Sequence, residues 1–95
     1  MINIKETDFN ILKNILKQII PDKEIWAFAS RVNGSYKEYS DLDIVIKNNI
    51  SERTINNLKL KLSESNLSIT IDIIQWEKIS ESFRNIILSN YEVIS

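Results

Sequence analysis

The stretch that most constrains this chain runs from Trp26 to Ile46, where two apolar runs flank a polar turn and the second opens with Asp41-Leu42-Asp43. Side chains two residues apart in a β-strand share a face, so Asp41 and Asp43 are expected to point the same way, opposite Leu42. Their backbones lie roughly 6–7 Å apart, and at an effective dielectric near 20 their repulsion costs about 2–3 kcal/mol. A cation is therefore expected beside them, and hard oxygen ligands of this kind favour Mg²⁺.

Composition narrows the chemistry further. Ninety-five residues suffice for a single domain, which we expect to span residues 1–95. The chain has no Cys and no His, which excludes disulfides, thiolate nucleophiles and Cys-ligated zinc and removes the usual general base. Catalysis must then rest on carboxylates, hydroxyls, Lys, Arg and a metal ion, an inventory that suits phosphoryl or nucleotidyl transfer.

Charge and hydropathy indicate where such a chain acts. The net charge of −1 gives no bulk attraction to nucleic acid, so no direct nucleic-acid binding is expected. No apolar run approaches the roughly 18 residues of a membrane span. The N-terminus mixes apolar and charged residues where a secretory signal would be basic and then apolar. We therefore expect a cytoplasmic protein without membrane contact.

Apolar periodicity predicts a helix near the N-terminus. Thr7 or Asp8 is expected to cap its start, and Pro21 to end it. Its apolar face is expected to bury Phe9, Leu12, Leu16 and Ile19.

The central stretch predicts two strands joined by a helical turn. Residues 24–29 indicate the first strand, residues 30–34 the turn, and residues 42–46 the second strand, which is apolar on both faces except at Asp43. Strand residues Trp26 and Phe28, like Trp76 further along, favour core packing over a nucleic-acid stacking platform.

The second half predicts a helix, a strand and a helix. Ser51 is expected to cap a helix that ends near Asn66 and buries Ile55, Leu58 and Leu62. Residues 68–75 alternate as a third strand, with Asp72 on the face opposite its isoleucines 69, 71 and 73. A last helix carries apolar residues at 79, 83, 86 and 87, and the tail 91–94 is expected to be either a final strand or an apolar patch for a partner. The order predicts a small α/β domain.

The turn and the second strand resemble the signature of the DNA polymerase beta-like nucleotidyltransferase superfamily, and most closely its minimal (MNT) branch. That pattern is Gly-Ser, about ten residues, and Asp-x-Asp. Here ten residues separate Ser30 from Asp41, and Asp43 completes the pair. Asp72 falls where the family carries a third carboxylate. The departure is Ala29, where the family has Gly.

The resemblance implies a fold and a metal site. The fold is a mixed sheet of three or more strands with helices packed on one side. Asp41, Asp43 and Asp72 would hold Mg²⁺, with two ions in all, and Asp72 would also deprotonate the incoming hydroxyl. The alternative, in which Asp41 caps a turn and Asp43 is a solvated strand residue, requires Asp72 to be a charge among apolar residues without a partner.

The resemblance also implies a nucleotide site. Ser30 and the following amides would cradle the phosphates at a helix start, although an N-cap serine without a ligand has the same sequence. Arg31 and Lys37 would add positive charge, or else be solvated surface residues. The whole nucleotide-binding set that follows from the resemblance is Ala29, Ser30, Arg31, Lys37 and Ser40.

The activity implied is Mg²⁺-dependent transfer of a nucleoside monophosphate, AMP from ATP, to a hydroxyl. In the MNT branch the acceptor is a tyrosine of a HEPN-type partner toxin, which makes the MNT protein an antitoxin. One alternative is a catalytically weak module that neutralises its partner by contact. Another is a small-molecule, aminoglycoside-like nucleotidyltransferase that needs a second subunit. Each of these alternatives is compatible with a homo- or hetero-oligomer.

Ala29 in place of the motif glycine has two possible consequences. A position that requires positive φ would strain alanine by about 1 kcal/mol. A position that requires only close approach to the nucleotide would leave the fold unaffected and slow the transfer, since a displacement of about 1 Å can cost roughly 100-fold in rate. We expect the second case, because small residues are tolerated at the end of a strand.

Overall fold

A four-stranded sheet in the order β3-β2-β1-β4 forms the centre of the computed structural model, which describes residues 2–37 and 40–95. Strand β1 pairs antiparallel with β2 and with β4, whereas β2 and β3 are parallel. This mixed sheet confirms the predicted fold class, and the tail is a strand rather than a free segment. The strands are β1 Ile25–Phe28, β2 Leu42–Ile46, β3 Ile71–Gln75 and β4 Tyr91–Val93.

Four helices surround the sheet, at α1 Glu6–Ile19, α2 Ser30–Asn33, α3 Glu52–Ser63 and α4 Glu81–Ser89, with a 3₁₀ turn at Trp76–Lys78. The longest has 14 residues. No helix within the described ranges has both the length and the apolar character to cross a membrane. Helices α1 and α3 cover one face of the sheet. The core on that face includes Leu12, Leu16, Ile25, Leu42, Ile44, Ile46, Ile55, Leu58 and Leu62.

The other face of the sheet is covered as well. Trp26, Phe28 and Val45 are buried there against Ile87 of α4. The expectation of helices on one side only is therefore wrong. The physical reason is that β1 and β2 carry apolar side chains on both faces, and a sheet of that kind must be covered twice.

The predicted start of α1 is wrong. The helix begins at Glu6, and its N-cap, Lys5, makes no side-chain capping bond. Asp8 is instead buried and accepts hydrogen bonds from the backbone N–H of Ser68 at 2.9 Å and from its hydroxyl at 2.5 Å. Burial acts to raise the pKa of Asp8, but the two hydrogen bonds from Ser68 and the charges of Lys5 and Arg31 lower it, and the pKa lies below its ordinary value.

The second half follows its predicted pattern with shorter elements. Ser51 caps α3, accepting from the Thr54 amide at 3.2 Å as predicted, but the helix ends at Ser63 rather than near Asn66. Strand β3 begins at Ile71 instead of residue 68, since Ser68 is engaged by Asp8.

An aromatic cluster fixes β4 on the sheet. Trp26 stacks on Tyr91 with ring centroids 4.0 Å apart and meets Trp76 edge-on at 5.8 Å. The Lys47 ammonium lies over both indoles, 3.7 and 4.0 Å from the centroids. Core packing, as predicted, is confirmed for Trp26 and Phe28, both buried.

The turn from β1 into α2 depends on a single strained residue. Ala29 has φ 65° and ψ −146°, a region populated almost only by glycine. Its carbonyl accepts from the amides of Val32 and Asn33, both at 2.9 Å, so the chain reverses from strand to helix within this residue. The expectation that only close approach mattered at Ala29 is wrong, because the backbone itself requires positive φ.

Removing the charge of Asp8 tests the link between α1 and Ser68. Asp8→Asn should lower the free energy of unfolding by about 1 kcal/mol at pH 7, because bonds to a charged acceptor are stronger than neutral ones. Because the pKa of Asp8 is lowered in the folded protein, its ionised form stabilises the fold above the unfolded pKa of 3.8. This stabilisation is lost as the pH falls below that value. In urea titrations the difference from wild type should hold from pH 7 to 5 and shrink below pH 4. The exposed Glu6→Gln in the same helical turn is the control, and an equal loss there would refute the assignment.

Relief of the strain at Ala29 should be measurable as stability. Ala29→Gly should raise the free energy of unfolding by about 1 kcal/mol, the strain of positive φ less the greater chain entropy of glycine. For a domain of this size that is roughly 4–8 °C in melting temperature. The matched control is Ala27→Gly, two residues earlier in β1 and fully buried, which should melt lower than wild type. A similar loss in both variants would show that residue 29 is unstrained.

Candidate active site

Two carboxylates meet on neighbouring strands. Strands β2 and β3 are parallel and in register, with Asp43 directly beside Asp72. Adjacent strands lie about 4.8 Å apart, and side chains of paired residues share a face. Both carboxylates lie on the face opposite Leu42 and Ile44. Asp72 is exposed because β3 is at the edge of the sheet, whereas Asp43 is half-buried.

The pair concentrates negative charge. Burial raises the pKa of Asp43 to about 6, with further contributions from the charge of Asp72, a hydrogen bond with it, and the charge of Asp41. The ion pairs seen between described residues, Lys23 with Asp22 and Lys78 with Glu52, do not involve these three carboxylates. The site therefore has unbalanced negative charge and hard oxygen ligands, which fit a divalent cation such as Mg²⁺.

A cavity of about 330 Å³ opens at these carboxylates. The sheet and α2 form one wall, with Phe28, Ala29, Asn33, Asp43, Asp72 and Ile74. Helix α4 and the residue after it form the other, with Phe83, Ile86, Ser89 and Asn90.

The third predicted metal ligand is held less firmly. Asp41 precedes the first residue of β2, is exposed and does not line the cavity. Among residues 2–37 and 40–95, no three carboxylates form a ready-made metal cluster. Magnesium is commonly held by one or two carboxylates together with substrate phosphates, so a preformed cage is not required. The ligand role of Asp41 stays a prediction.

The predicted phosphate residues separate into two groups. Ala29 lines the cavity, and Ser30 begins α2 directly beside it, half-buried. Lys37 is exposed outside the cavity, and its amide donates to the Ser40 hydroxyl at 2.8 Å, so both residues shape the segment before β2. Phosphate contacts by Ser30, Lys37 and Ser40 stay predictions.

Arg31 is buried and hydrogen-bonded to two other parts of the chain, and its contact with phosphate stays a prediction. It is 6% exposed, which contradicts the solvated-surface alternative. Its guanidinium donates to the Ser40 carbonyl at 3.0 and 3.2 Å and to the Asn3 carbonyl at 3.1 Å, and it lies 4.7 Å from the Tyr36 ring. These bonds hold the N-terminal segment against the chain that leads to Asp41. Arg31 does not line the cavity.

Sequence reasoning missed the residues that complete the cavity. Asn33 lies three residues after Ser30, on the same side of the α2 turn, a spacing that helical periodicity could have identified. Its side-chain oxygen accepts from the Ser35 amide and hydroxyl at 2.9 and 2.7 Å. The α4 residues had no comparable signal, because nothing in their local pattern shows which strand end the helix approaches.

Comparisons with known proteins agree with this geometry. A family model described as a nucleotidyltransferase domain matches residues 10–94. The probable protein adenylyltransferase MntA of Haemophilus influenzae is 44% identical over 98 residues, covering 98% of this chain and 83% of that protein.

Solved structures with a similar fold include two from toxin–antitoxin systems. A toxin–antitoxin crystal structure with AMP-PNP has a TM-score of 0.74 at 21% identity, covering 92% of this chain and 72% of that one. A tri-AMPylated Shewanella oneidensis HEPN toxin in complex with its MNT antitoxin gives 0.69 at 19% identity, covering 97% and 72%. At these identities the structures support the fold alone. The family match and the MntA relative, together with the paired aspartates, show that this chain belongs to the nucleotidyltransferase domain family.

Proposed function

We propose that this chain is a protein adenylyltransferase that transfers AMP from ATP to a hydroxyl, most specifically a tyrosine hydroxyl, of a HEPN-type partner toxin and so acts as its antitoxin. The observation that carries the proposal is the Asp43–Asp72 pair, two carboxylates side by side on adjacent strands that both line a cavity. The relative that is a probable protein adenylyltransferase supports AMP as the transferred group. The fold shared with an MNT antitoxin bound to a HEPN toxin supports the partner.

Each site residue has a distinct part in this reaction. Asp41 and Asp43 would hold Mg²⁺, and Asp72 would contribute to a second ion. When bound, the ions neutralise phosphate charge and make the hydroxyl more acidic. Ser30, at the start of α2, offers its hydroxyl and neighbouring backbone N–H groups to the phosphates. Asp72 takes the proton of the attacking hydroxyl, because its exposed position on the edge strand leaves it accessible to an incoming protein.

The chemical step is a displacement at the α-phosphorus of ATP. The acceptor oxygen forms the new P–O bond while the bond to pyrophosphate breaks, and the acceptor proton passes to Asp72. The products are the adenylylated acceptor and pyrophosphate. With the ions and the carboxylates positioned beforehand, catalysis consists mainly of alignment and charge stabilisation.

A contact-only antitoxin is the second candidate, and Ala29 is the observation that favours it. Ala29, at the position where the family motif has glycine, lines the cavity. Its backbone nevertheless keeps a conformation typical of glycine, which preserves the shape of the turn. Transfer that is slow in wild type and several-fold faster in Ala29→Gly would support the adenylyltransferase.

The direct test of the proposal incubates the chain with ATP labelled on the α-phosphate, Mg²⁺ and a HEPN-type protein as the candidate acceptor. Label on the HEPN protein is the expected result. A parallel reaction contains an aminoglycoside instead, and label on the aminoglycoside without label on the HEPN protein would support the small-molecule alternative. A tight complex without label would support neutralisation by contact.

Replacement of the metal ligands should separate activity from stability. Asp41→Asn with Asp43→Asn should abolish transfer and raise the stability of the metal-free protein at pH 7.5 by on the order of 1 kcal/mol after solvent screening. The raised pKa of Asp43 means that wild-type stability falls as pH rises from 3.8 through about 6. The gain should therefore vanish below about pH 4 in thermal melts with EDTA. Asp22→Asn, at a largely exposed aspartate, is the control. A less stable metal-free double variant would indicate a structural role.

Asp72→Asn should impair turnover more than nucleotide binding. Loss of a general base lowers turnover about 10²- to 10⁴-fold, whereas the affinity for AMP-PNP with Mg²⁺, measured by isothermal titration, should change far less. The exposed Glu77→Gln on the 3₁₀ turn should change neither quantity. An affinity loss as steep as the loss of turnover would place Asp72 among the nucleotide ligands instead.

A further inference from the structure

Ile86 is exposed beyond what folding requires. The residue is 66% exposed, the highest value among the large apolar residues of the described chain. Its neighbour Ile87 is fully buried, and Phe83 packs edge-on against Phe28 with centroids 6.0 Å apart. Those two contacts seat α4 on the sheet without Ile86. Single exposed apolar residues are common on protein surfaces, so the exposure has meaning only through its position.

The position is the catalytic cavity. Ile86 lines the same cavity as Asp43 and Asp72. A residue that lines a cavity and remains two-thirds exposed lies at its mouth rather than its floor. Leu88, two residues later on α4 and 48% exposed, does not line it. Of these two exposed apolar residues on α4, only Ile86 therefore lies at the mouth of the cavity.

The occupant of the mouth follows from its chemistry. Phosphates and ribose require hydrogen-bond donors and acceptors, and Ile86 supplies none; its apolar contact would be with the face of adenine or with an apolar group of the acceptor. A protein acceptor must cover the mouth when its hydroxyl reaches the carboxylates inside, and the ring of a tyrosine acceptor is an apolar surface next to that hydroxyl, so we favour the acceptor. Contact with such a side chain would bury the exposed part of Ile86, which stabilises binding through the hydrophobic effect.

We propose that Ile86 is a specificity residue for the acceptor: it contacts an apolar side chain of the partner protein next to the hydroxyl that receives AMP. This inference rests on the proposed function, whose catalytic residues it leaves unchanged. It assigns the α4 wall of the cavity to the acceptor and the wall formed by Ala29 and α2 to the nucleotide.

The test compares Ile86→Gln with Leu88→Gln, which introduce the same side chain on the same helix inside and outside the cavity. Glutamine is a good helix former, so both variants should fold with nearly wild-type melting temperatures. Ile86→Gln should lower kcat/KM for the HEPN-type protein that the wild type adenylylates about 5- to 30-fold, from the loss of apolar burial. The loss should appear mainly in KM for that protein, and affinity for AMP-PNP with Mg²⁺ should be unchanged. Ile86→Leu should restore most of the loss, and Leu88→Gln should show none.

Three results would overturn the inference. Weaker AMP-PNP binding in Ile86→Gln would assign this wall to the nucleotide. An unchanged kcat/KM in Ile86→Gln would show that Ile86 makes no contact with the acceptor. An equal loss in Leu88→Gln would show that the effect does not depend on a position in the cavity. If the wild type transfers no AMP, the proposed function fails separately. The affinity of the HEPN protein for the variants then decides: weakening confined to Ile86→Gln retains the contact, and equal affinities exclude it.

Discussion

The repulsion between two carboxylates on neighbouring strands is the constraint on which the site depends. Asp43 and Asp72 are adjacent only because β2 and β3 pair in one register, from Leu42 beside Ile71 to Ile46 beside Gln75. A slip of one residue would turn one carboxylate into the core formed with α1 and α3. Burial of the apolar residues on that face therefore fixes the register and offsets the electrostatic cost. The structure thus holds negative charge at the place where a divalent cation could bind the carboxylates together with a triphosphate.

A second unfavourable feature lies beside the first. Phe28 pairs with Asp43 across β1 and β2, so the strained Ala29 follows directly at the same end of the sheet. Strained backbone persists only where the surroundings determine it, and here the carbonyl of Ala29 starts α2 while β1 is buried on both sides. On the far side of the turn, Arg31 anchors the chain through the Ser40 and Asn3 carbonyls. Packing outside the site therefore offsets the energetic cost of both the charge repulsion and the backbone strain.

Much of this fold was accessible from the sequence where one local pattern decided the outcome. Strand β2 occupies the predicted residues 42–46, and Ser51 caps α3 as expected. The Asp43–Asp72 pairing follows from alternation plus the family resemblance. Predictions failed where distant parts of the chain compete for the same side chain. Asp8 accepts a hydrogen bond from Ser68, sixty residues away, instead of capping a helix. The φ of Ala29 likewise depends on how β1 meets α2, which the residue type alone does not reveal.

Helix α4 connects the fold to the proposed chemistry. Because β1 and β2 are apolar on both faces, a helix must cover the face that carries the carboxylates, and Ile87 with Phe83 places it there. The same helix thereby becomes a wall of the cavity, yet it leaves Ile86 in solvent and Asp72 exposed. Displacement at phosphorus benefits from exclusion of water, which would otherwise compete as the nucleophile. On the proposed function, an acceptor that covers the cavity mouth at Ile86 would also exclude water from the carboxylates inside.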